Sequence, residues 1–198
     1  MVVQKLNGRS KVIRKKIEIL RSAASAFRDR GFTATSMRAI AMQLGLTPGA
    51  LYHYFESKSD LLYFCQEYST DRMIEKARKI QRMDAAWEMK LRALISEQML
   101  CMLDELNGSA AHIELHALPH GRLERIIQKR DAYEKILRGV IARGVKAREF
   151  APCDIKMVTF AILGAINWTV RWYRPGGPDN AAHIATKFSN YLVRGLLR

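Results

Sequence analysis

Residues 36–58 read SMRAIAMQLGLTPGALYHYFESK and contain two short helical patterns joined by a tight turn. In the first pattern, Ile40 and Leu44 are four residues apart and predict one apolar helix face. Ser36 can cap the start of this helix, and Gly45 can adopt the left-handed conformation that ends it. The spacing therefore predicts a helix-turn-helix.

The second helix of the motif has the features of a helix that enters a DNA groove. Thr47 is a predicted N-cap with Pro48 at the first helical position, and Leu51 and Phe55 predict the inward face. The outward face consists of Gly49, Ala50, Tyr52 and His53. Small residues near the helix N-terminus allow the close backbone approach that major-groove binding requires.

The longer run GFTATSMRAIAMQLGLTPGALYHYFESKSDLL, residues 31–62, resembles the DNA-binding domain of the TetR family of transcriptional regulators. The resemblance includes the Gly-Phe-Thr-Ala-Thr-Ser link, the Leu-Tyr-His-Tyr-Phe end of the recognition helix and Lys58. It implies an all-α, nine-helix architecture with a three-helix helix-turn-helix domain, residues 1–56, that carries a basic N-terminal arm. A larger helical domain for effector binding and dimerisation would occupy residues 57–198.

The resemblance also implies a set of DNA contacts. Four residues match the family positions that touch base edges or thymine methyl groups, namely Thr47, Pro48, Gly49 and Ala50. Three others match family positions that contact phosphates, namely Tyr52, His53 and Lys58. Thr35 and Ser36 can add hydroxyl contacts to phosphate. Tyr54 has two open interpretations, a DNA contact or packing against the first helix. Because residues 47–50 include no long polar side chain, base readout is expected to use apolar contact and DNA shape.

The distribution of charge supports a polyanionic partner. The 198-residue chain has a formal net charge of +14, and residues 1–60 carry half of it, with eleven lysines and arginines against four acids. Residues 1–16 contain no acid and six basic side chains, which are Lys5, Arg9, Lys11, Arg14, Lys15 and Lys16. This segment predicts phosphate or minor-groove contact with duplex DNA, and the alternative is a solvated basic tail.

Composition excludes several other classes of protein. The three cysteines are odd in number and widely spaced, which argues against a disulfide framework or a zinc site. The N-terminus lacks the apolar stretch of a secretory signal. The most apolar segment, residues 155–172, contains Lys156, Asn167 and Arg171 and is better interpreted as a buried helix than as a membrane span. We expect a cytoplasmic protein without a membrane partner.

Helical periodicity continues nearly to the end of the chain. The first helix is predicted over about 10–30 with Gly31 as its stop, and the fourth begins near Ser57 or Ser59 and ends near residue 81. Asp84 is the predicted cap of the next helix. The later helices are predicted over about 84–106, 109–118, 121–146, 154–172 and 179–197.

The last two predicted helices favour a homodimer. Apolar residues cover almost the whole circumference of the helix at 154–172, and a second apolar stripe runs along 179–197. A helix that is apolar all round must be buried all round, so one side is expected to meet a partner chain in a two-fold four-helix bundle. TetR-like proteins dimerise through the corresponding helices. The alternative is that both stripes belong to the intramolecular core.

The segment NWTVRWYRPGGP, residues 167–178, resembles a branch of the TetR family that controls fatty-acid, sterol or related acyl-CoA catabolism. Trp168, Arg171 and Trp172 place indole rings beside a guanidinium group, which can clamp the adenine or a phosphate of a coenzyme A thioester. The competing interpretation assigns these residues to a dimer interface. Met102, in a methionine-containing helix, and His116 are further candidates for effector contact.

Metal binding and catalysis receive little support. His112, His116 and His120 recur with Glu114, but Pro119 interrupts the helical spacing, and we predict neither a metal nor a cofactor. A nucleophile elbow, a phosphate-binding glycine loop and a catalytic triad are not found, so an enzyme is not expected.

The sequence predicts a repressor that binds a palindromic operator as a dimer and is released by a small molecule. The resemblance to the acyl-CoA branch implies that this small molecule is an acyl-CoA thioester. The alternatives are an activator, an effector-independent DNA-binding protein, a regulator of drug or aromatic-compound response, or a small-molecule binder without DNA function.

Overall fold

The computed structural model describes the backbone of residues 2–105 and 115–198 and the side chains of residues 11–103 and 115–198. These residues form eight α-helices, and their only β-type pairing is an isolated bridge between Phe150 and Leu197. The helices are α1 (Val2–Arg30), α2 (Met37–Gln43), α3 (Pro48–Tyr52), α4 (Lys58–Arg82), α5 (Trp87–Leu100), α6 (His120–Lys146), α7 (Ile155–Trp172) and α8 (Ala181–Arg194). The predicted all-α class is confirmed.

The ends of the short helices follow from local chemistry. The hydroxyl oxygen of Ser36 accepts from the amide of Ala39, and that of Thr47 accepts from the amide of Ala50, so both predicted N-caps are present. Gly31 and Gly45 have φ angles of +77° and +64°, where a side chain would be strained. These four positions define the turn geometry of the motif.

The N-terminal core extends beyond the helix-turn-helix. Buried side chains of α1, α2 and α3, including Phe27, Ile40 and Leu51, pack with Leu61 at the start of α4. Ile126, near the start of α6, belongs to the same cluster. The packing therefore continues across the predicted boundary at residues 56 and 57.

The C-terminal core is formed by the second half of α4 together with α5, α6, α7 and α8. Its largest fully buried ring is that of Phe150, which packs against Gly144 where the chain turns after α6. The amide of Ala151 then donates to the carbonyl of Leu196 at 2.8 Å, which joins this turn to the end of the chain. This pairing explains why α8 ends at Arg194, before the predicted residue 197.

Other helix boundaries differ from the predictions. Helix α1 begins at Val2 rather than near residue 10. Helix α5 begins at Trp87, and its N-cap Ala86 makes no side-chain hydrogen bond, so Asp84 is not the cap. The chain continues as a π-helix at Cys101–Glu105. The predicted helix at 109–118 falls mostly outside the described residues, and its last part is the 3-10 turn Leu115–Ala117.

The described helices do not have the features of a membrane span. None of them combines the length and apolar character needed to cross a bilayer. The most apolar helix, α7, is interrupted by charged side chains, as the sequence indicates.

Candidate DNA-binding surface and interior cavity

Helix α3 presents the side chains that the sequence assigns to DNA. Leu51 and Phe55 are buried and hold the helix on the N-terminal core. The opposite surface exposes Thr47, Pro48, Gly49, Tyr52 and His53, with Ala50 half-buried. Tyr54 is partly buried against the core, and its ring meets that of His53 edge-on at 5.9 Å. The exposed surface is therefore narrow and consists mainly of small side chains, with two aromatic rings at its C-terminal end.

The two hydroxyl residues before α2 have different environments. Ser36 is exposed and caps α2. Thr35 is buried, and its hydroxyl donates to the carbonyls of Ala26 at 3.1 Å and Gly31 at 2.8 Å. The Thr35 side chain thus faces the end of α1 rather than solvent, contrary to the expected phosphate contact, because its single hydroxyl proton is directed at main-chain carbonyls at the C-terminal end of that helix.

Lys58 has an unexpected set of partners. Its ammonium group donates to the carbonyls of Phe32 at 2.7 Å, Thr33 at 3.1 Å and Thr35 at 2.9 Å. The same nitrogen lies 4.4 Å from the centre of the Phe32 ring. A lysine ammonium has three donor protons, so these three carbonyls occupy its full donor capacity.

The basic residues of α1 form a second part of the surface. Lys11 and Arg14 are exposed. Lys16 lies partly buried, with its ammonium nitrogen 4.8 Å from the ring centre of Phe55 and 5.5 Å from that of Phe64. The side chains of Lys5 and Arg9 fall outside the described residues. The predicted contact between the basic N-terminal segment and DNA remains a prediction.

A cavity of about 180 Å³ lies between α4, α5, α6 and α7. Two of its lining side chains are apolar and six carry polar groups. The lining residues are Thr70, Met73, Gln98, Arg130, Tyr133, Glu134, Leu163 and Asn167. The cavity wall therefore combines polar and apolar groups and suits a ligand with oxygen or nitrogen atoms as well as a short apolar part.

Three polar side chains of the cavity wall form hydrogen bonds, two of them with each other and the third with a residue outside the wall. The hydroxyl of Tyr133 donates to the side-chain oxygen of Gln98 at 3.0 Å, and the Arg130 guanidinium donates to Gln66 at 3.0 Å. Burial lowers the pKa of Arg130 to about 10, so this side chain remains positively charged at neutral pH. A half-buried cation beside a cavity favours a carboxylate, phosphate or polarised carbonyl group in the ligand.

The predicted effector residues do not line this cavity. Trp168, Arg171 and Trp172 are exposed on α7, with 66% of the Trp168 surface and 44% of the Trp172 surface accessible. Met102 is buried in the C-terminal core, and His116 is exposed. Only Asn167, from the same quoted segment, reaches the cavity wall.

The cavity residues that sequence reasoning missed have a recognisable pattern. Arg130, Tyr133 and Glu134 interrupt the apolar side of α6 at helical spacing. Polar groups on an inward face must be paired or must border an interior space. This signal marks α6 as a cavity wall, but the partners on α4, α5 and α7 depend on how the helices pack.

The histidine cluster receives no support as a metal site. His112 and Glu114 lie outside the described residues, His116 is in the 3-10 turn, and His120 is the first residue of α6, 3.6 Å from Glu124. Across the part of the chain that the structure describes, no three potential ligands converge on a metal position.

Large apolar side chains remain exposed on the last two helices. Met157, Phe160 and Trp168 on α7 are 53%, 44% and 66% accessible, and Tyr191 on α8 is 86% accessible. The inward side of α7 is filled by Ile162 and Ile166. A single chain therefore covers only one side of α7, as the dimer prediction requires.

Comparison with known protein families agrees with this architecture. The model described as "Bacterial regulatory proteins, tetR family" matches residues 19–63, and the model described as "Tetracyclin repressor-like, C-terminal domain" matches residues 84–196. The chain belongs to the TetR family. The prediction of a DNA-binding regulator rather than an enzyme is thereby confirmed.

Individual TetR-family proteins are similar along nearly the whole chain. The transcriptional repressor KstR2 of Rhodococcus jostii is 27% identical over 190 residues, covering 92% of this chain and 91% of the relative. The ketosteroid regulator KstR2 of Mycobacterium tuberculosis has a TM-score of 0.83 at 26% identity, covering 93% and 95% of the two chains. AibR, solved with isovaleryl coenzyme A and operator DNA, has a TM-score of 0.72 at 26% identity, covering 90% and 97%.

Proposed function

We propose that this protein is a homodimeric transcriptional repressor that binds a palindromic operator and releases it when an acyl-CoA thioester binds. The observation that carries the proposal is the course of α4. This helix starts in the N-terminal core, and Thr70 and Met73 on the same helix line the cavity. Thr70 lies 12 residues after Lys58, which corresponds to about 18 Å of helix.

The DNA surface would consist of Ser36, Thr47, Pro48, Gly49, Ala50, Tyr52, His53 and Lys58. Two recognition helices related by a two-fold axis can read the two halves of a palindrome. The dimer would form through residues 154–172 and 179–197 of both chains. Each chain would then cover the exposed apolar side chains of α7 and α8 on its partner. Such a regulator would act in the cytoplasm, where bacterial DNA is located.

The effector class is proposed from the cavity and from the relatives together. A volume of about 180 Å³ accommodates a short acyl group and is too small for a whole coenzyme A. Asn167 lines the cavity and is exposed, and Trp168 and Arg171 follow it on the outer part of α7. We therefore place the acyl group inside and the coenzyme A part along Trp168, Arg171 and Trp172. The Met102 and His116 contacts are not required.

Release of DNA would follow from a shift between two states of the dimer. An acyl group that prefers the state with a displaced α4 would change the separation of the two recognition helices. A change from 1:99 to 99:1 requires the effector to prefer one state by about 10⁴-fold. A ligand with equal affinity for both states would not release the operator.

The direct test measures binding to a labelled duplex from the region upstream of the protein's own gene. The titration is repeated with CoA thioesters from acetyl to palmitoyl and with the matching free acids. Release by short thioesters alone supports the proposal. DNA binding that no thioester changes would contradict the effector assignment and direct the search to aromatic or drug-like compounds.

A paired substitution tests whether the cavity is the effector site. Leu163→Phe adds a ring at the cavity wall and should weaken the thioester response by about tenfold while operator affinity stays within about twofold. Ile127→Phe, at a 43% accessible position of α6 outside the cavity lining, is the matched control. An unchanged response in the Leu163 variant would exclude this cavity.

A further inference from the structure

We infer that the cavity between α4, α5, α6 and α7 selects acyl groups that end in a carboxylate, as in the CoA monothioester of a short dicarboxylic acid. The inference rests on the proposed function, because it names the effector class for the same site. It starts from Arg130, the one basic residue among the eight that line the cavity. A ligand that meets this cation binds best when it carries the opposite charge.

The charge of Arg130 is retained in its half-buried position on α6. Its guanidinium donates to the side-chain oxygen of Gln66 at 3.0 Å, which uses one of its five donor protons. Gln66 is neutral, so this hydrogen bond does not cancel the positive charge. Burial lowers the pKa of Arg130 to about 10, and the group therefore stays protonated at neutral pH.

The acidic group on the same wall is compensated by a neighbour. Glu134 lies one turn after Arg130 and forms an ion pair with Arg138, a further turn along α6. Two arginines and one glutamate together leave one positive charge beside the cavity. A carboxylate supplies one negative charge, whereas a phosphate group carries nearly two at neutral pH. The charge balance therefore favours a carboxylate.

The hydroxyl groups of the wall already donate within the protein. The Tyr133 hydroxyl donates to the side-chain oxygen of Gln98 at 3.0 Å, and the Thr70 hydroxyl donates to the carbonyl of Gln66 at 2.7 Å. Each hydroxyl has a single proton to give. The guanidinium of Arg130 is therefore the strongest donor that the wall can offer to a ligand oxygen.

A plain alkyl group would match this wall less well. Met73 and Leu163 are the two apolar lining residues and can contact the methylene groups of an acyl chain. A terminal methyl group would exclude water from Arg130 without replacing its hydrogen bonds, which costs free energy. A terminal carboxylate would replace them with a bidentate pair. We place the thioester end near Asn167 and the carboxylate at Arg130.

Four matched pairs of thioesters separate the effect of charge from that of chain length. Malonyl-, succinyl-, glutaryl- and adipyl-CoA are compared with propionyl-, butyryl-, valeryl- and hexanoyl-CoA, which contain the same numbers of acyl carbons. Isothermal titration calorimetry measures binding to the full chain without DNA. We expect at least one diacid thioester to bind at least about tenfold more tightly than its partner, as for a hydrogen bond between charged groups. A smaller preference in all four pairs would overturn the inference.

Substitution of Arg130 tests whether this residue provides the preference. Arg130→Met removes the charge, and the preference should fall below about threefold because only the diacid loses a partner. Lys135→Met is the matched control, since it removes a charge from an exposed position of α6 outside the cavity lining and should keep the wild-type preference. A preference that survives in folded Arg130→Met would overturn the inference. Circular dichroism monitors folding, and Arg130→Gln replaces a methionine variant that does not fold.

Operator release is measured separately, so that failure of the inference differs from failure of the proposed function. Fluorescence anisotropy follows a duplex that the wild-type protein has selected from a random pool, titrated with the same eight thioesters. Release by plain acyl thioesters, without a diacid preference, would overturn the inference and keep the proposed function. Tight diacid binding that leaves the operator bound would support the inference and contradict the proposed function.

Discussion

At the scale of single residues, the DNA-binding unit separates side chains that stabilise it from side chains that are free to contact DNA. Thr35 and Lys58 form hydrogen bonds to main-chain carbonyls of the motif. Tyr52 and His53 have large exposed surfaces and fill no core position. Substitutions at these two kinds of position should therefore affect different properties.

Tyr52→Ala should weaken operator binding without changing stability. Tyr52 is 51% accessible, so its removal is expected to alter the free energy of unfolding by less than about 0.5 kcal/mol. Loss of a phosphate hydrogen bond should reduce DNA affinity about tenfold. Anisotropy titrations and urea unfolding measure the two quantities, with Met83→Ala at the 50% accessible position immediately after α4 as control. A large loss of stability would show that Tyr52 is structural.

Because the Cys65 thiol is buried, we expect the free energy of unfolding to decrease at alkaline pH. Burial raises the pKa of Cys65 from 9.0 to about 12. The unfolded chain ionises first, so the stability contribution is complete below pH 9 and is lost as pH rises toward 12, by about 1.4 kcal/mol per unit. Urea unfolding between pH 7.5 and 10.5 should show a shallower decline for Cys65→Ala than for the wild-type protein. Parallel declines would contradict this assignment.

At the scale of helices, α4 and α6 both contribute to the two cores. The first half of each packs with the helix-turn-helix, and the second half packs around the cavity. Ion pairs also join them, from Lys129 to Asp71 at 2.6 Å and from Arg122 to Asp60 at 3.0 Å. Such partly exposed pairs contribute little free energy, so buried packing must supply most of the coupling between the units.

The end of α6 provides a matched pair of glycine substitutions. A Cβ atom at Gly144 would collide with the Phe150 ring, so Gly144→Ala should destabilise the protein by about 1–3 kcal/mol. At Gly139 the nearest atom is Gln81 Nε2 at 3.7 Å, so Gly139→Ala should stabilise the helix by about 0.5–1 kcal/mol. Thermal and urea unfolding measure both variants. Equal effects would show that Phe150 moves aside without cost.

At the scale of the whole molecule, the exposed side of α7 connects assembly to DNA binding. Met157, Phe160 and Trp168 lie on this side, while Thr159, Ile162 and Ile166 face the core. A chain with net charge +14 is expected to repel its own copies, so apolar contact must overcome that repulsion in the proposed dimer. Operator affinity should therefore depend on an interface far from α3.

Phe160→Glu should separate the protomers without unfolding them. The new carboxylate would lie near Arg138 and Lys156, which now lie 5.3 and 5.9 Å from the Phe160 ring, so the single chain can accommodate it. Sedimentation equilibrium should show a monomer, and operator affinity should fall by at least about a hundredfold, since one half-site is lost. Met89→Glu, at a 62% accessible position of α5, is the control. A dimeric Phe160 variant would place the interface elsewhere.

Predictions from the sequence were correct where the interactions that determine the structure lie within one short segment. The caps Ser36 and Thr47, the glycines at positive φ and the inward Leu51 all depend on neighbours within a few residues. The prediction failed at the start of α5, where Asp84 has the chemistry of a cap but Ala86 occupies the position. Cap propensity indicates that a helix begins nearby, and packing selects the turn at which it begins.

The sequence by itself determined the helical class, the helix-turn-helix and its outward face, because hydrogen bonds and apolar periodicity over three to five residues encode them. Only the tertiary structure decided the partners of Lys58, which are 23 to 26 residues away, and the inward direction of Thr35. It also decided the cavity, whose wall combines Thr70, Gln98, Arg130 and Leu163 from four helices. Their convergence depends on helix packing angles and distances, which no local pattern specifies.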